Sequence, residues 1–347
     1  MISAIGNTPL VKLKLNNKMD EGNVFGKLEM LNPFGMKDRV AKRIILKAKE
    51  TGILKPNTPI IESSSGTMAC GVALVGKALN HEVHIVTDPR IDIITKAKLI
   101  SLGCKLHIVE KMDNKGWQGA RLTKLNSLLE RYPNAFWPRQ YENPDNPLAY
   151  DELVQEVVHD IGKIDILVCS VGSGGSISGI ARGLKVKNKN LKVVAVDAVG
   201  SVIFGQPDYP RRLQGGLGNS LVAPNVDFSI IDEVHWLSDK EAFSATLQLA
   251  NSEQIFAGNS SGSVYAVARW LSKQSDNRVN ILAVFPDRGD RYVHTIFNED
   301  YREKNGIQNI GLPLDPKFVS YGTTVSSWSY SNLKEVKSND KKKVIIH

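Results

Sequence analysis

Short apolar runs rich in β-branched residues alternate with longer stretches of helical period along most of the chain. The runs Pro59–Glu62, Glu82–Thr87, Lys105–Val109, Ile164–Ser170, Lys192–Asp197 and Val279–Phe285 predict strands. Apolar residues recurring every three or four positions predict helices over Lys37–Thr51, Thr67–Leu79, Ile94–Leu102, Ala149–Ile161, Ile177–Leu184, Asp239–Asn251 and Gly262–Ser272. Strands separated by helices need crossover connections, so the sheets should be parallel and covered on both faces. The unbroken apolar runs over 166–169 and 193–196 suit strands of that kind. The fold class is α/β. The stretch Trp137–Pro147 holds two Asn-Pro dipeptides and reads as a loop. After Pro316 the chain turns Ser/Thr/Gly-rich and then Lys-rich, and reads as a peripheral tail.

At 347 residues the chain suits two domains or one large α/β unit, and its 42% hydrophobic and 23% charged content is ordinary globular usage. A chain of this length buries enough surface to need no disulfide or metal staple. The three cysteines, Cys70, Cys104 and Cys169, are far apart within apolar stretches, and read as small buried hydrophobes. No apolar run approaches the ~18 residues of a membrane span. The N-terminal residues show no basic segment before an apolar one, so the expected compartment is the cytoplasm. The net charge of +8 is spread through mixed surface charge, with no basic stripe interleaved with aromatics, so nucleic acid is not an expected partner. A mild positive bias also suits a site for anionic ligands. The histidines are scattered, His81 and His84 read as core or edge residues, and no metal is assigned. The pair His235-Trp236 ends an apolar run and has no functional reading.

Four segments carry chemistry. The first is Gly172-Ser173-Gly174-Gly175-Ser176, directly after a buried strand and before a helix. Glycines let the backbone approach a ligand closely, and helix N–H groups then point at an anion, most naturally a phosphate. A dinucleotide fingerprint needs glycine at the sixth position, which is Ile177 here. That reading survives only through Asp197, placed where a ribose-binding acid would lie. A P-loop is excluded, because no Gly-Lys-Ser/Thr follows the turn. The second segment is Asn32-Pro-Phe-Gly-Met-Lys37-Asp-Arg39. A lysine at a helix start has its pKa lowered by the helix dipole, which favours the neutral amine a covalent lysine needs. Taken alone it could equally begin an ordinary surface helix. The third, Ser64-Ser65-Gly66-Thr67-Met68, offers N–H and hydroxyl donors to a carboxylate, or simply caps a helix. The fourth, Gly258-Asn259-Ser260-Ser261-Gly262, has the same two readings.

Together with Ile5-Gly-Asn-Thr-Pro-Leu10, these segments in this order resemble the cysteine synthase and cystathionine β-synthase family over residues 1–300. The resemblance implies a fold-type II enzyme that uses pyridoxal 5′-phosphate (PLP), with two domains, each a twisted, mainly parallel sheet flanked by helices. It implies a smaller mobile domain over 36–148, a larger cofactor domain formed by 1–35 and 149–310, and a peripheral tail over 311–347. Lys37 would bond the cofactor and move the substrate α-proton. Gly172, Ser173, Gly174, Gly175 and Ser176 would hold the phosphate, and Ser260 would face the pyridine nitrogen. Ser64, Ser65, Gly66, Thr67 and Met68, with Gln140, would take the carboxylate of an amino-acid substrate. The family also implies a homodimer.

Two departures from the family matter. Thr67 stands where the family usually has Asn in contact with the cofactor's 3′-oxygen. Arg211 and Arg212 precede a loosely matching glycine loop, Gln214–Ser220, and would select an anionic donor or acceptor. The implied reaction is β-replacement on O-acetylserine, O-phosphoserine or serine through an aminoacrylate intermediate. The product would be cysteine or a related β-substituted alanine, such as a diaminopropionate precursor. The rival readings are net β-elimination, as in a cysteine desulfhydrase or serine dehydratase, and a non-catalytic binding protein on the same fold.

Overall fold

The computed structural model describes residues 1–15, 20–113, 116–307 and 315–333. The strands are β1 (Leu10–Lys12), β2 (Asn23–Lys27), β3 (Ile60–Ser63), β4 (Val83–Thr87), β5 (Lys105–Ile108), β6 (Ile166–Ser170), β7 (Lys192–Ala198), β8 (Glu233–Leu237), β9 (Asn280–Val284), β10 (Lys317–Phe318) and β11 (Ser329–Asn332). The α-helices are α1 (Lys37–Glu50), α2 (Thr67–Ala78), α3 (Ile93–Ser101), α4 (Gly116–Arg131), α5 (Asp145–Leu148), α6 (Asp151–Ile161), α7 (Gly175–Lys187), α8 (Asp239–Glu253), α9 (Asn259–Lys273) and α10 (Glu299–Lys304). Strands β3, β4 and β5 form a parallel three-stranded sheet. The other eight form one sheet in the order β1-β2-β9-β6-β7-β8-β11-β10, parallel from β2 through β8. Among the described residues no helix is long and apolar enough to cross a membrane.

Alternation along the central strands explains why both faces of the large sheet are covered. Leu167, Cys169, Val193 and Ala195 join the core that holds α1, α2 and α7, while Ile166, Val168, Val194 and Val196 join the core under α9. Buried residues in α1 fall at Val40, Ala41, Ile44, Ile45 and Ala48, one stripe of helical period. Helix α2 is buried almost all round, and Gly71 lets it close on α1, since a Cβ there would lie 3.1 Å from that of Ala41. Gly179 does the same between α7 and α5, where a Cβ would run into the Pro147 carbonyl.

All six predicted strands and seven predicted helices are present, with shifted ends. Strand β2 is missing from the sequence reading because it contains Gly26 and Lys27. Lys27 is fully buried and paired with Glu156 at 2.6 Å. Helix α4 is missing because only Gly119, Arg121, Leu125 and Leu128 are buried along its 16 residues. The expected loop Trp137–Pro147 does run as a loop until α5 begins at Asp145. Pro147 is tolerated there because the first turn of a helix has no partner for its missing N–H.

The assignment of 311–347 to a peripheral tail needs correction. Residues 315–333 supply β10 and β11, and β11 pairs antiparallel with β8 from Ser329↔Trp236 to Asn332↔Glu233. Trp328 is buried and donates its indole N–H to Nδ1 of His235 at 3.1 Å. The alternation Trp328, Tyr330 against Ser329, Ser331 was masked by a serine-rich composition. His235, which had no functional reading, is the centre of this packing. Residues 311–314 and the Lys-rich run from 334 lie outside the described residues.

Candidate active site

Lys37 is the first residue of α1, and its amine projects towards the β6–α7 turn, where Nζ donates to Ser173 Oγ at 3.2 Å. Part of the stem is accessible, but the amine itself is enclosed, and burial pushes its pKa down to about 8 while Cys169 pulls weakly the other way. The neighbouring acid does not pair with it. Asp38 instead caps the turn before the helix, accepting the Phe34 N–H at 2.7 Å.

The β6–α7 turn is built by close approach. Gly174 has φ +81°, and a Cβ there would lie 2.5 Å from Val226. A Cβ on Gly175 would strike the Asn146 side chain. No side chain caps α7, so its first N–H groups, with the hydroxyls of Ser173 and Ser176, are free to face an anion. Asn146 Nδ2 donates to Ser173 Oγ at 3.3 Å and to the Gln140 carbonyl at 2.6 Å. That one amide therefore links the phosphate turn to the loop expected to meet the carboxylate.

Ser260 lies in the first turn of α9, fully buried, with Oγ donating to Asp287 Oδ1 at 3.4 Å. Gly216, at φ +84°, brings its backbone against the same space. A Cβ on it would lie 3.5 Å from Ser260 Oγ, and its carbonyl lies 3.4 Å from where a Gly172 Cβ would stand. Lys37 thus bonds to the Gly172–Ser176 turn through Ser173, and Gly216 lies between that turn and Ser260. A buried amine of low pKa, an uncapped helix start and a neutral hydroxyl are the donor set that the aldehyde, phosphate and ring nitrogen of PLP require, so the residues fit the cofactor.

The substrate loop follows β3. Gly66 N–H donates to Ser64 Oγ at 3.2 Å, and Ser65 Oγ accepts from Arg121 Nη1 at 3.2 Å. Thr67 opens α2 with its methyl group against Gly35. Met68 turns its side chain into the hydrophobic core, so the structure does not bring it to the site. Gln140 is buried, its carbonyl shared by Asn146 and Asn225. The arginine pair is also placed differently from expectation. Arg211 is exposed, and Arg212 is tied to its own loop through Asp208 and the Gly200 carbonyl.

An arginine that does bond to the loop is Arg121 on α4, which the sequence reading missed. It is 8% exposed, pairs with the buried Asp88 at 3.3 Å, and leaves Nε without a partner. Glu62, beside it, accepts from Ser63 N–H at 2.7 Å and Trp137 Nε1 at 3.3 Å, and burial raises its pKa to about 7. Asn146, Asp287 and Arg291 were missed as well. Only Asn146 left a trace in the sequence, the Asn-Pro repeat over 143–147.

Comparison with known proteins gives the family. The family profile described as pyridoxal-phosphate dependent enzyme matches residues 1–287. N-(2-amino-2-carboxyethyl)-L-glutamate synthase of Cupriavidus metallidurans is 37% identical over 306 residues, which cover 86% of this chain and 89% of that protein. A hydrogen sulfide-producing enzyme from Fusobacterium nucleatum has a similar structure, with a TM-score of 0.78 and 30% identity over 84% of this chain and 98% of its own. The O-acetylserine dependent cystathionine β-synthase from Helicobacter pylori gives a TM-score of 0.78 and 30% identity over 85% of this chain and 96% of its own. The chain belongs to the pyridoxal-phosphate dependent enzymes, in the fold-type II group of cysteine synthases and cystathionine β-synthases, and PLP is its cofactor.

Proposed function

We propose that this enzyme replaces the β-substituent of an L-serine-type donor with the amino group of an acidic amino acid, giving a diaminopropionate-type product. The observation that carries this reading is Arg121. Its guanidinium is buried beside Ser65 and paired with Asp88, and its Nε is left without a partner, which costs about 1–3 kcal/mol unless a further acceptor such as a substrate carboxylate takes it up. Sulfide needs no such group, whereas a dicarboxylic acceptor does. The 37% identity to a synthase whose name describes a glutamate joined to an amino-carboxyethyl group points the same way.

PLP, when bound, supplies the electron sink for chemistry at the donor's α-carbon. The chain supplies position and proton movement. Lys37, with a pKa of about 8, is close enough to neutrality both to accept and to return a proton. The α7 N-terminus with Ser173 and Ser176 holds a phosphate, and Gly172, Gly174 and Gly175 allow its approach. Ser260 presents a neutral hydroxyl to the ring nitrogen. Ser64, Ser65, Gly66 and Thr67, with Gln140, hold the donor's carboxylate, and Arg121 holds the acceptor's.

The three-stranded sheet shares no strand pairing with the large one among the described residues, which supports reading 36–148 as the unit that moves over the donor. The same reading carries a homodimer in the cytoplasm, a compartment in keeping with the free thiols of Cys70, Cys104 and Cys169.

The test supplies the holoenzyme with O-acetylserine or O-phosphoserine and with L-glutamate, L-aspartate or sulfide, and identifies products by mass spectrometry. Arg121→Lys, which keeps a cation beside Asp88, should raise KM for the dicarboxylic acceptor about tenfold to a hundredfold, well beyond its effect on KM for the donor or for sulfide. Pyruvate and ammonia as the only products, whatever the acceptor, would establish net elimination instead.

A further inference from the structure

Arg291 lies outside every motif named above, in the 3₁₀ turn Gly289–Tyr292 that follows β9. Its guanidinium joins three parts of the molecule. Nη1 donates to Asp287 Oδ2 at 3.0 Å, and Nε donates to Asp92 Oδ2 at 3.2 Å. Nη2 lies against the substrate loop, 3.6 Å from where a Cβ on Gly66 would stand. Asp287 is 3% exposed. Beyond Arg291 it accepts from the Tyr292 hydroxyl at 2.8 Å and from Ser260 Oγ at 3.4 Å. Asp92 belongs to the small-sheet unit, where its other oxygen caps α3 by accepting the Thr95 N–H at 2.7 Å. One cation, 15% exposed, thus bridges a carboxylate that holds Ser260 and a carboxylate that starts a helix beside the substrate loop.

We propose that Arg291 is a positioning residue that ties the substrate loop to the Ser260 turn, so that the small-sheet unit is seated over the donor by this bridge. The proposal rests on reading Ser64–Gly66 as the loop that takes the donor's carboxylate. The planar fork of arginine can serve two carboxylates in different directions at once, which a single ammonium cannot do. The two arms are separable. Breaking the Asp92 arm leaves Asp287 paired and Ser260 held. Removing the guanidinium leaves Asp287 buried without a countercharge beside Ser260.

Asp92→Asn isolates the first arm, because asparagine caps a helix as well as aspartate does while losing the charge that faces Nε. Arg291→Lys keeps the charge and loses the fork. Amide hydrogen exchange, followed by mass spectrometry on the cofactor-loaded full chain, reads the coupling without reference to turnover. Asp92→Asn should speed exchange in residues 62–68 by about threefold to tenfold and leave residues 258–262 as they are, whereas Arg291→Lys should speed exchange in both segments. Donor KM should rise by a similar factor with kcat within about twofold, since the bridge seats the loop and does not touch reacting atoms. Faster exchange confined to residues 92–96 in Asp92→Asn, or to 286–293 in Arg291→Lys, overturns the proposal. If Arg291→Lys does not fold, Asp92→Asn decides alone. Faster exchange in residues 62–68 of both variants with donor KM unchanged keeps the bridge and counts against the donor reading of the loop.

Discussion

Replacing Trp328 with alanine tests whether the C-terminal strands belong to the core. The indole is 4% exposed within the core under α9. Its backbone N–H donates to Glu241 Oε1 at 2.8 Å, and its ring N–H to His235 Nδ1 at 3.1 Å. Around His235, Tyr330 stacks at 5.1 Å between ring centroids and Trp270 meets it edge-on at 5.4 Å. Deleting a buried tryptophan ring costs about 3–5 kcal/mol, and leaving His235 Nδ1 without its donor adds about 1–3 kcal/mol. Trp328→Phe keeps most of the ring and loses only the donor, so its cost should be about 1–3 kcal/mol. Urea unfolding followed by circular dichroism gives both values if the slope stays that of the parent. The pH dependence separates the two effects. Burial lowers the pKa of His235 from 6.5, against the opposing pull of Glu233. Below pH 6.5 the unfolded chain therefore binds a proton that the folded chain does not, and stability is lost as pH falls further. In Trp328→Phe the Nδ1 lone pair has no indole donor to serve, so this loss should be shallower. A shift for Trp328→Ala below about 1 kcal/mol would refute the reasoning and return residues 315–333 to a peripheral role.

Capture of PLP by the cofactor-free protein requires the neutral form of Lys37, so its rate should rise with pH with a midpoint at about 8, well below the 10.5 of an ordinary lysine. Lys37→Ala should fold normally yet yield no borohydride-stable adduct at that position by mass spectrometry, and an adduct at another lysine with full activity would refute the assignment. Gly179→Ala should lower the melting temperature, because its Cβ meets the Pro147 carbonyl and overpacking of this kind costs about 1–3 kcal/mol. An unchanged melting temperature would show that α5 and α7 can separate freely.

What was legible in the sequence is what local physics dictates. The β6–turn–α7 segment announces itself because the chain must bend between an apolar strand and a helix, and Gly174 and Gly175 are the only residues that fit against Val226 and Asn146. Lys37, Ser65 and Ser260 stand at helix starts or just before them, where small and polar residues form a recognisable pattern. Arg121, Asp287 and Arg291 have no such pattern. A charged residue on a helix or turn looks the same whether it faces water or a buried partner, and here the partners are distant. Arg121 meets Ser65 across 56 positions, and Arg291 meets Asp92 across 199. For the same reason the sequence did not show that Arg212 is tied to Asp208 and the Gly200 carbonyl, since proximity to a glycine loop says nothing about which acceptors the loop itself provides. Strands β10 and β11 were hidden in a related way, because serines that face a neighbouring strand read as the serines of a loop.

The way the site handles its own acids follows from the same constraint. A carboxylate paired with Lys37 would hold the amine charged and raise its pKa, whereas covalent chemistry needs it neutral near physiological pH. Asp38, one residue away, is the obvious threat. Its carboxylate turns back onto the Phe34 N–H, sits 3.0 Å from where a Gly71 Cβ would stand, and is pushed up to about 7 by burial. Glu62 is held by the Ser63 and Trp137 N–H groups, and Asp287 by Arg291 and Tyr292. The nearest titratable influence on Lys37 is the thiol of Cys169, itself raised to about 11 and so uncharged at neutral pH. With each nearby acid committed to a backbone or side-chain donor, burial alone sets the lysine, and its pKa falls. An engineered chain that freed Asp38 by shifting the Phe34 turn would gain an ion pair at Lys37 and lose the neutral amine, so the geometry of that turn is as much a condition of function as the lysine it precedes.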